Sequence, residues 1–186
     1  MNEHIMVSTL KQLQAAAGLL VCLTSTLASA QADTRFEQDL EDDAKPWAEV
    51  AVQLPKLPEA STLVSFYVSP IATQTFAIAP QTLSIGSDGV IRYVLVARSE
   101  SGAENISYEG LRCATHEHKR YAFGHQDGSW TRARRDQWEQ IVSNAANRPD
   151  AALAEGYLCD GNTIASNLKT MIDRLKNKKP LTPARS

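Results

Sequence analysis

The sequence predicts a single α+β domain, a curved antiparallel β-sheet meander with C-terminal helices packed on one face. Three observations carry that prediction. Between residues 63 and 124, apolar side chains recur at every second position and are separated by short turns rich in Gly, Ser and Asp, the pattern of half-buried strands joined as hairpins. Beyond Trp130 the apolar spacing changes to that of helices. Hydrophobic residues make up 43% of the 186-residue chain and charged residues 22%, which supplies one core and leaves too little charge bias for disorder.

Residues 1–30 have the three parts of a secretory signal peptide: Lys11 near the start, an apolar run over 15–27, and the small residues Ala28-Ser29-Ala30 before a cut. Cleavage is expected after Ala30, or after Ala32 in the second register. The apolar run is about fourteen residues, too short for a hydrocarbon core of about 30 Å, so the mature protein is expected to have no transmembrane segment. Cys22 follows Val21 and is itself followed by apolar residues, a poor context for lipidation. The expected location is the periplasm of a Gram-negative bacterium. Cleavage leaves Cys113 and Cys159, and an oxidising compartment favours their pairing over two separate buried thiols. Their loop of about 46 residues corresponds to a chain-entropy stabilisation of about 4 kcal/mol.

Residues 31–60 read as an extended, acidic, Pro-containing lead-in, with Trp47 as an anchor and Pro55 and Pro58 preventing regular pairing. The folded domain is expected over 61–176. Val64, Phe66 and Val68 alternate, as do Phe76 and Ile78, and each set predicts a strand. Residues 83–85 and 90–97, around the turn Gly86-Ser87-Asp88-Gly89, predict a hairpin. The middle of its second strand is apolar on both faces, Ile91, Tyr93 and Leu95 against Val94 and Val96, so it should be central. A turn over 99–105 leads to a strand over 106–113, and 119–124 follows with Tyr121 and Phe123 assigned to one face. About five to seven strands are expected in all. Trp138, Ile141, Val142 and Ala145 then predict an amphipathic helix over 134–146, ended by Arg148-Pro149. Residues 150–155 form a short helical turn that delivers Tyr157-Leu158-Cys159 to the core, and Ile164, Leu168, Met171, Ile172 and Leu175 mark a terminal helix. Residues 177–186 are basic, carry two prolines and are read as a disordered tail.

Chemistry is harder to find. His116 and His118 are two apart, with His125 nearby, so a three-histidine metal site is conceivable; the segment 115–119 reads more simply as a polar, solvated turn, and no metal or cofactor is expected. Asp88, Glu109 and Asp127 could supply a carboxylate pair, but nothing fixes their separation, and no catalytic residue is assigned. A binding surface has more support. Arg92, Tyr93, Glu109, Arg112 and Tyr121 sit in or beside the most apolar strands, where an inward charge requires a partner. Glu109 with Arg92 or Arg112 is the expected pair, either pinning strand register or lining a polar groove.

With 19 Lys and Arg against 21 Asp and Glu, the net charge is −2, which gives no electrostatic reason for a nucleic-acid partner. The blocks Ser87-Asp88-Gly89-Val90-Ile91-Arg92-Tyr93, the run over 101–113, Tyr121-Ala122-Phe123-Gly124, Trp130, Trp138 and Tyr157-Leu158-Cys159 resemble the CNP1-like family of exported bacterial proteins, over about residues 39–168. The resemblance implies envelope location and paired cysteines, and it carries no activity. The expected function is a non-enzymatic periplasmic binding or interaction domain whose partner is a periplasmic protein or small ligand. The competing expectation is a periplasmic hydrolase or metal-dependent enzyme that uses Arg92, Glu109, Arg112, His116 and His118.

Overall fold

The computed structural model describes residues 46–142 and 148–181. The leader, the acidic half of the lead-in, residues 143–147 with the end of the expected helix, and the last five residues lie outside the described residues. Eight strands form one sheet: β1 (Val64–Phe66), β2 (Gln74–Ile78), β3 (Ser84–Ile85), β4 (Val90–Ser99), β5 (Glu104–Arg112), β6 (Glu117–Gly124), β7 (Trp130–Arg132) and β8 (Glu139–Gln140). Their order is β1-β2-β4-β5-β6-β7, with β3 beside β4 and β8 beside β6. Every pair is antiparallel, because the connections are too short for crossovers.

Strand β4 is central and buried without a break from Val90 to Val96. The hairpin before it closes through Gly89, whose φ of 74° is open to glycine at little cost. One face of β4 presents Ile91, Tyr93 and Leu95 to the larger core, shared with Leu153, Leu158, Met171 and Leu175. These come from the helical layer, made of α1 (Arg148–Leu153), a π-helical turn (Ala154–Leu158) and α2 (Leu168–Lys176). Between the turn and α2, the short strands β9 (Cys159–Asp160) and β10 (Thr163–Ile164) pair with each other. Helix α2 starts where the Asn167 side chain accepts the Thr170 amide at 2.9 Å, an N-cap that satisfies one of the free donors of the first turn. The opposite face of β4 packs Val94 and Val96 with Tyr108, Tyr121, Val52 and Leu54, so the lead-in covers the side the helices do not. The Trp130 indole N–H fixes it by donating to the Pro55 carbonyl at 2.8 Å.

Three local expectations are corrected. Residues 134–142 are not helical: they form a connection containing β8, and Ile141 reaches the core from irregular backbone. Pro149 does not end a helix; it is the second residue of α1, where its missing N–H leaves no helical bond unmade. Tyr121 and Phe123 do not share a face. Tyr108 pairs with Ala122 and Glu109 with Arg120, which leaves Tyr121 as the extra residue of a bulge and turns everything after it over. Tyr121 is buried, while Phe123 is 43% exposed.

Candidate functional site

The alternation of β4, β5 and β6 sorts the charged residues onto two faces. Arg92, Arg112, Lys119 and Tyr121 lie under the lead-in, whereas Tyr93, Glu109, His118 and Arg120 lie towards the helical layer.

On the lead-in side, Arg92, Arg112 and Lys119 each have a carboxylate partner. Arg92 is bidentate on Asp88, at 2.6 and 3.1 Å, and the same carboxylate accepts the amides of Val50 at 2.8 Å and Val90 at 3.2 Å. Burial pushes the Asp88 carboxyl up, but the Arg92 guanidinium and the two amides outweigh it and hold it down at about 2. Glu49, from the lead-in, accepts from the Tyr121 hydroxyl at 2.6 Å, from Lys119 at 2.9 Å and from the Trp138 indole at 3.3 Å. Burial, and then the bond to Glu49, raise the Tyr121 phenol, keeping it a donor. Arg112 pairs with Glu117 at 3.6 Å and lies 3.7 Å over the Trp47 ring, a cation–π contact. This side is a seam that fastens the lead-in to the sheet.

The other side is unsatisfied. Glu109, His118 and Asp150 are at most 1% exposed. Glu109 Oε1 accepts from Ser107 at 2.6 Å and from Arg120 at 3.2 Å. Asp150, brought in by α1, has Oδ2 3.5 Å from His118 Nδ1 and 3.6 Å from an Arg120 nitrogen. His118 Nε2 is 3.9 Å from Glu139. Glu109 Oε2, both His118 nitrogens, both Asp150 oxygens and the Tyr93 hydroxyl are buried without a well-formed hydrogen bond. Burial, reinforced by Glu109, pushes the Asp150 carboxyl far up, and burial pulls His118 down towards its neutral form.

His118 and Arg120 also form the inner wall of an open cavity of about 400 Å³ between β6 and the β7–β8 connection. Arg132, Arg134 and Arg135 stand on its outer wall beside Phe123, and among the described residues no carboxylate pairs with any of these three arginines.

The candidate residues thus fall into two groups. Tyr93 and Glu109 are cross-strand partners, while Arg92, Arg112 and Tyr121 belong to the seam. The expected pairs of Glu109 with Arg92 or Arg112 do not form: Glu109 takes Arg120, Arg92 takes Asp88, and Arg112 takes Glu117. The three histidines do not converge either. His116 caps a turn at one end of β6 with φ 54°, and His125 bonds Thr131 at the other, roughly 25–30 Å away at strand rise. Nor is 115–119 a solvated turn, since His118 and Lys119 are buried in β6. Asp88, Glu109 and Asp127 also stand apart, in a turn on the seam, on the helical face, and in the β6–β7 turn with Ser129. Arg120, Asp150 and Glu49 were not anticipated as site residues. A signal for Arg120 existed, because His118 and Arg120 share the face of Glu109; none in the local pattern marked Asp150.

The family model described as CNP1-like family matches residues 42–176. A curated relative, "Cryptic neisserial protein 1" of Neisseria gonorrhoeae, is 28% identical over 164 residues, covering 78% of this chain and 80% of the relative. No solved structure matches.

Proposed function

The chain belongs to the CNP1-like family, and from that premise we propose that it is an exported periplasmic domain that binds a small anionic ligand without transforming it. The observation that carries this reading is the cavity of about 400 Å³ walled by Arg120, Arg132, Arg134 and Arg135. Its volume is that of a small-molecule site, and guanidinium groups match carboxylate and phosphate oxygens in pairs. Phe123 and Ala133 give it an apolar wall. Export is supported by the leader pattern over 1–30 and by the Cys113–Cys159 disulfide, which suits an oxidising compartment. The enzymatic alternative, with Arg92, Glu109, Arg112, His116 and His118 in one site, would draw its residues from opposite faces of the sheet.

Calorimetric titration of the mature protein with inorganic phosphate and with citrate tests the binding. Saturable binding is expected, weakened about tenfold in the Arg134→Ala/Arg135→Ala variant and by added salt. Absence of saturable binding by either anion, or equal binding by the variant, overturns it. N-terminal sequencing of the exported protein should begin at Gln31 or Asp33; an acylated product beginning at Cys22 would replace the soluble periplasmic reading with a lipoprotein.

A further inference from the structure

We propose that Glu109, His118 and Asp150 form a binding site for one divalent transition cation of the zinc type, at the inner wall of the arginine-lined cavity. Three elements deliver the ligands, β5, β6 and α1, and one donor atom from each can be chosen so that all lie within 4.8 Å of one another. Tetrahedral zinc at about 2.0–2.1 Å from its ligands sets donors about 3.3 Å apart. The remaining approach is left to side-chain adjustment, and Glu109 Oε2, His118 Nδ1 and both Asp150 oxygens make no well-formed hydrogen bond that opposes it.

The partners of each ligand are divided as a metal site requires. Ser107 and Arg120 both hold Glu109 by Oε1, and leave Oε2 buried and unpartnered. His118 turns Nδ1 towards Asp150 and Nε2 towards Glu139. With Nδ1 on the cation, Nε2–H faces the Glu139 carboxylate 3.9 Å away, the place of the outer-shell carboxylate that orients a ligating imidazole once it closes to bonding distance. Asp150 is fully buried with neither oxygen in a well-formed hydrogen bond, Arg120 being 3.6 Å away, an arrangement that is costly for a carboxyl group unless something closer takes up its lone pairs. On binding a cation, Asp150 releases the proton that burial and Glu109 favour on it, so that both carboxylates face the cation beside Arg120. Imidazole with two carboxylates suits zinc or manganese better than calcium. Three protein ligands leave a fourth position for water or an anion entering from the cavity that His118 lines.

The test uses the disulfide-bonded mature protein, freed of metal by a chelator, re-equilibrated in buffer without phosphate or citrate, and titrated separately with Zn²⁺, Mn²⁺ and Ca²⁺. Its outcome is therefore independent of the anion titration. Elemental analysis after gel filtration should find about one zinc per chain, with a higher melting temperature that the chelator reverses. Asp150→Asn and His118→Gln should each weaken zinc binding by about 100-fold or more, and Glu139→Gln by about tenfold. His116→Ala and His125→Ala should bind as the parent does. Asp150→Asn carries the test if His118→Gln does not fold, since it removes a buried carboxyl without changing its volume. No metal retained from any of the three solutions overturns the site, as does zinc binding left intact by Asp150→Asn.

Discussion

Asp88 shows how one side chain in a turn fixes a distant segment. Its carboxylate closes its own hairpin through Val90 and Arg92 and holds the lead-in through Val50, while its backbone carbonyl accepts the Trp47 indole at 2.8 Å. The Asp88 and Arg92 side chains are 1% and 7% exposed, so removing the Asp88 charge leaves Arg92 buried with only Glu49, 3.8 Å away, to offset it. Asp88→Asn should therefore destabilise the protein by about 2–4 kcal/mol at neutral pH, measured by urea denaturation. Outweighing burial, the Arg92 guanidinium and the Val50 and Val90 amides hold the folded carboxyl at about 2 against an ordinary 3.8, so its folded pKa is the lower one. Its contribution is then fully present above about pH 4 to 5 and is lost as the pH falls towards 2. The gap between wild type and Asp88→Asn should be constant from pH 5 to 7 and narrow by about 2 kcal/mol between pH 4 and 2. A gap that holds its size into that acid range would show that the pair stabilises through packing rather than charge.

At the scale of elements, the sheet was legible because its strands are built on alternation, and the unbroken apolar run of β4 could only be central. What period alone cannot show is where alternation breaks. The bulge at Tyr121 inserts one residue into β6, reversing the facing of Phe123 and placing the Tyr121 ring over Gly110. A Cβ at Gly110 would lie 2.4 Å from the Tyr121 hydroxyl and 2.9 Å from its ring, and that hydroxyl is held by Glu49. Gly110→Ala should cost about 1–3 kcal/mol, and in Gly110→Ala/Tyr121→Phe the combined loss should be smaller than the sum of the single ones. Additive losses in thermal or denaturant melts would reject the close approach as the cause. The spacing of Trp138, Ile141 and Val142 imitated a helix because each meets a different need: the Trp138 indole reaches Glu49, Ile141 enters the core, and Val142 is exposed. The site was half legible. Arg92, Tyr93, Glu109, Arg112 and Tyr121 do sit where charge meets the core, but pairing depends on which face and which loop meet. Asp150 is 41 residues from Glu109 in sequence, in a segment that reads only as a helix start.

For the molecule as a whole, the sheet and the helical layer are joined by one covalent link. Cys113 opens the turn that follows β5, and Cys159 opens β9 just beyond the π-helical turn; they are bonded, with Cα atoms 5.6 Å apart across 46 residues. Both belong to the larger core, with Leu111, Leu158 and Met171, so hydrophobic packing and the bond act on the same contact between layers. A domain of this size is stable by only about 5 to 15 kcal/mol, and loss of a native disulfide typically costs about 2 to 5. Cys113→Ser and Cys159→Ser should each lower the melting temperature by about 10 °C without abolishing the fold, since the core beneath the bond persists. The double variant should be little worse than either single one, because either substitution already removes the whole link. Chemical reduction of the wild type should bring it close to the same stability. Two reactive thiols in the denatured, unreduced protein would reject the pairing, and losses that add in the double variant would mean that each cysteine contributes only through its own packing.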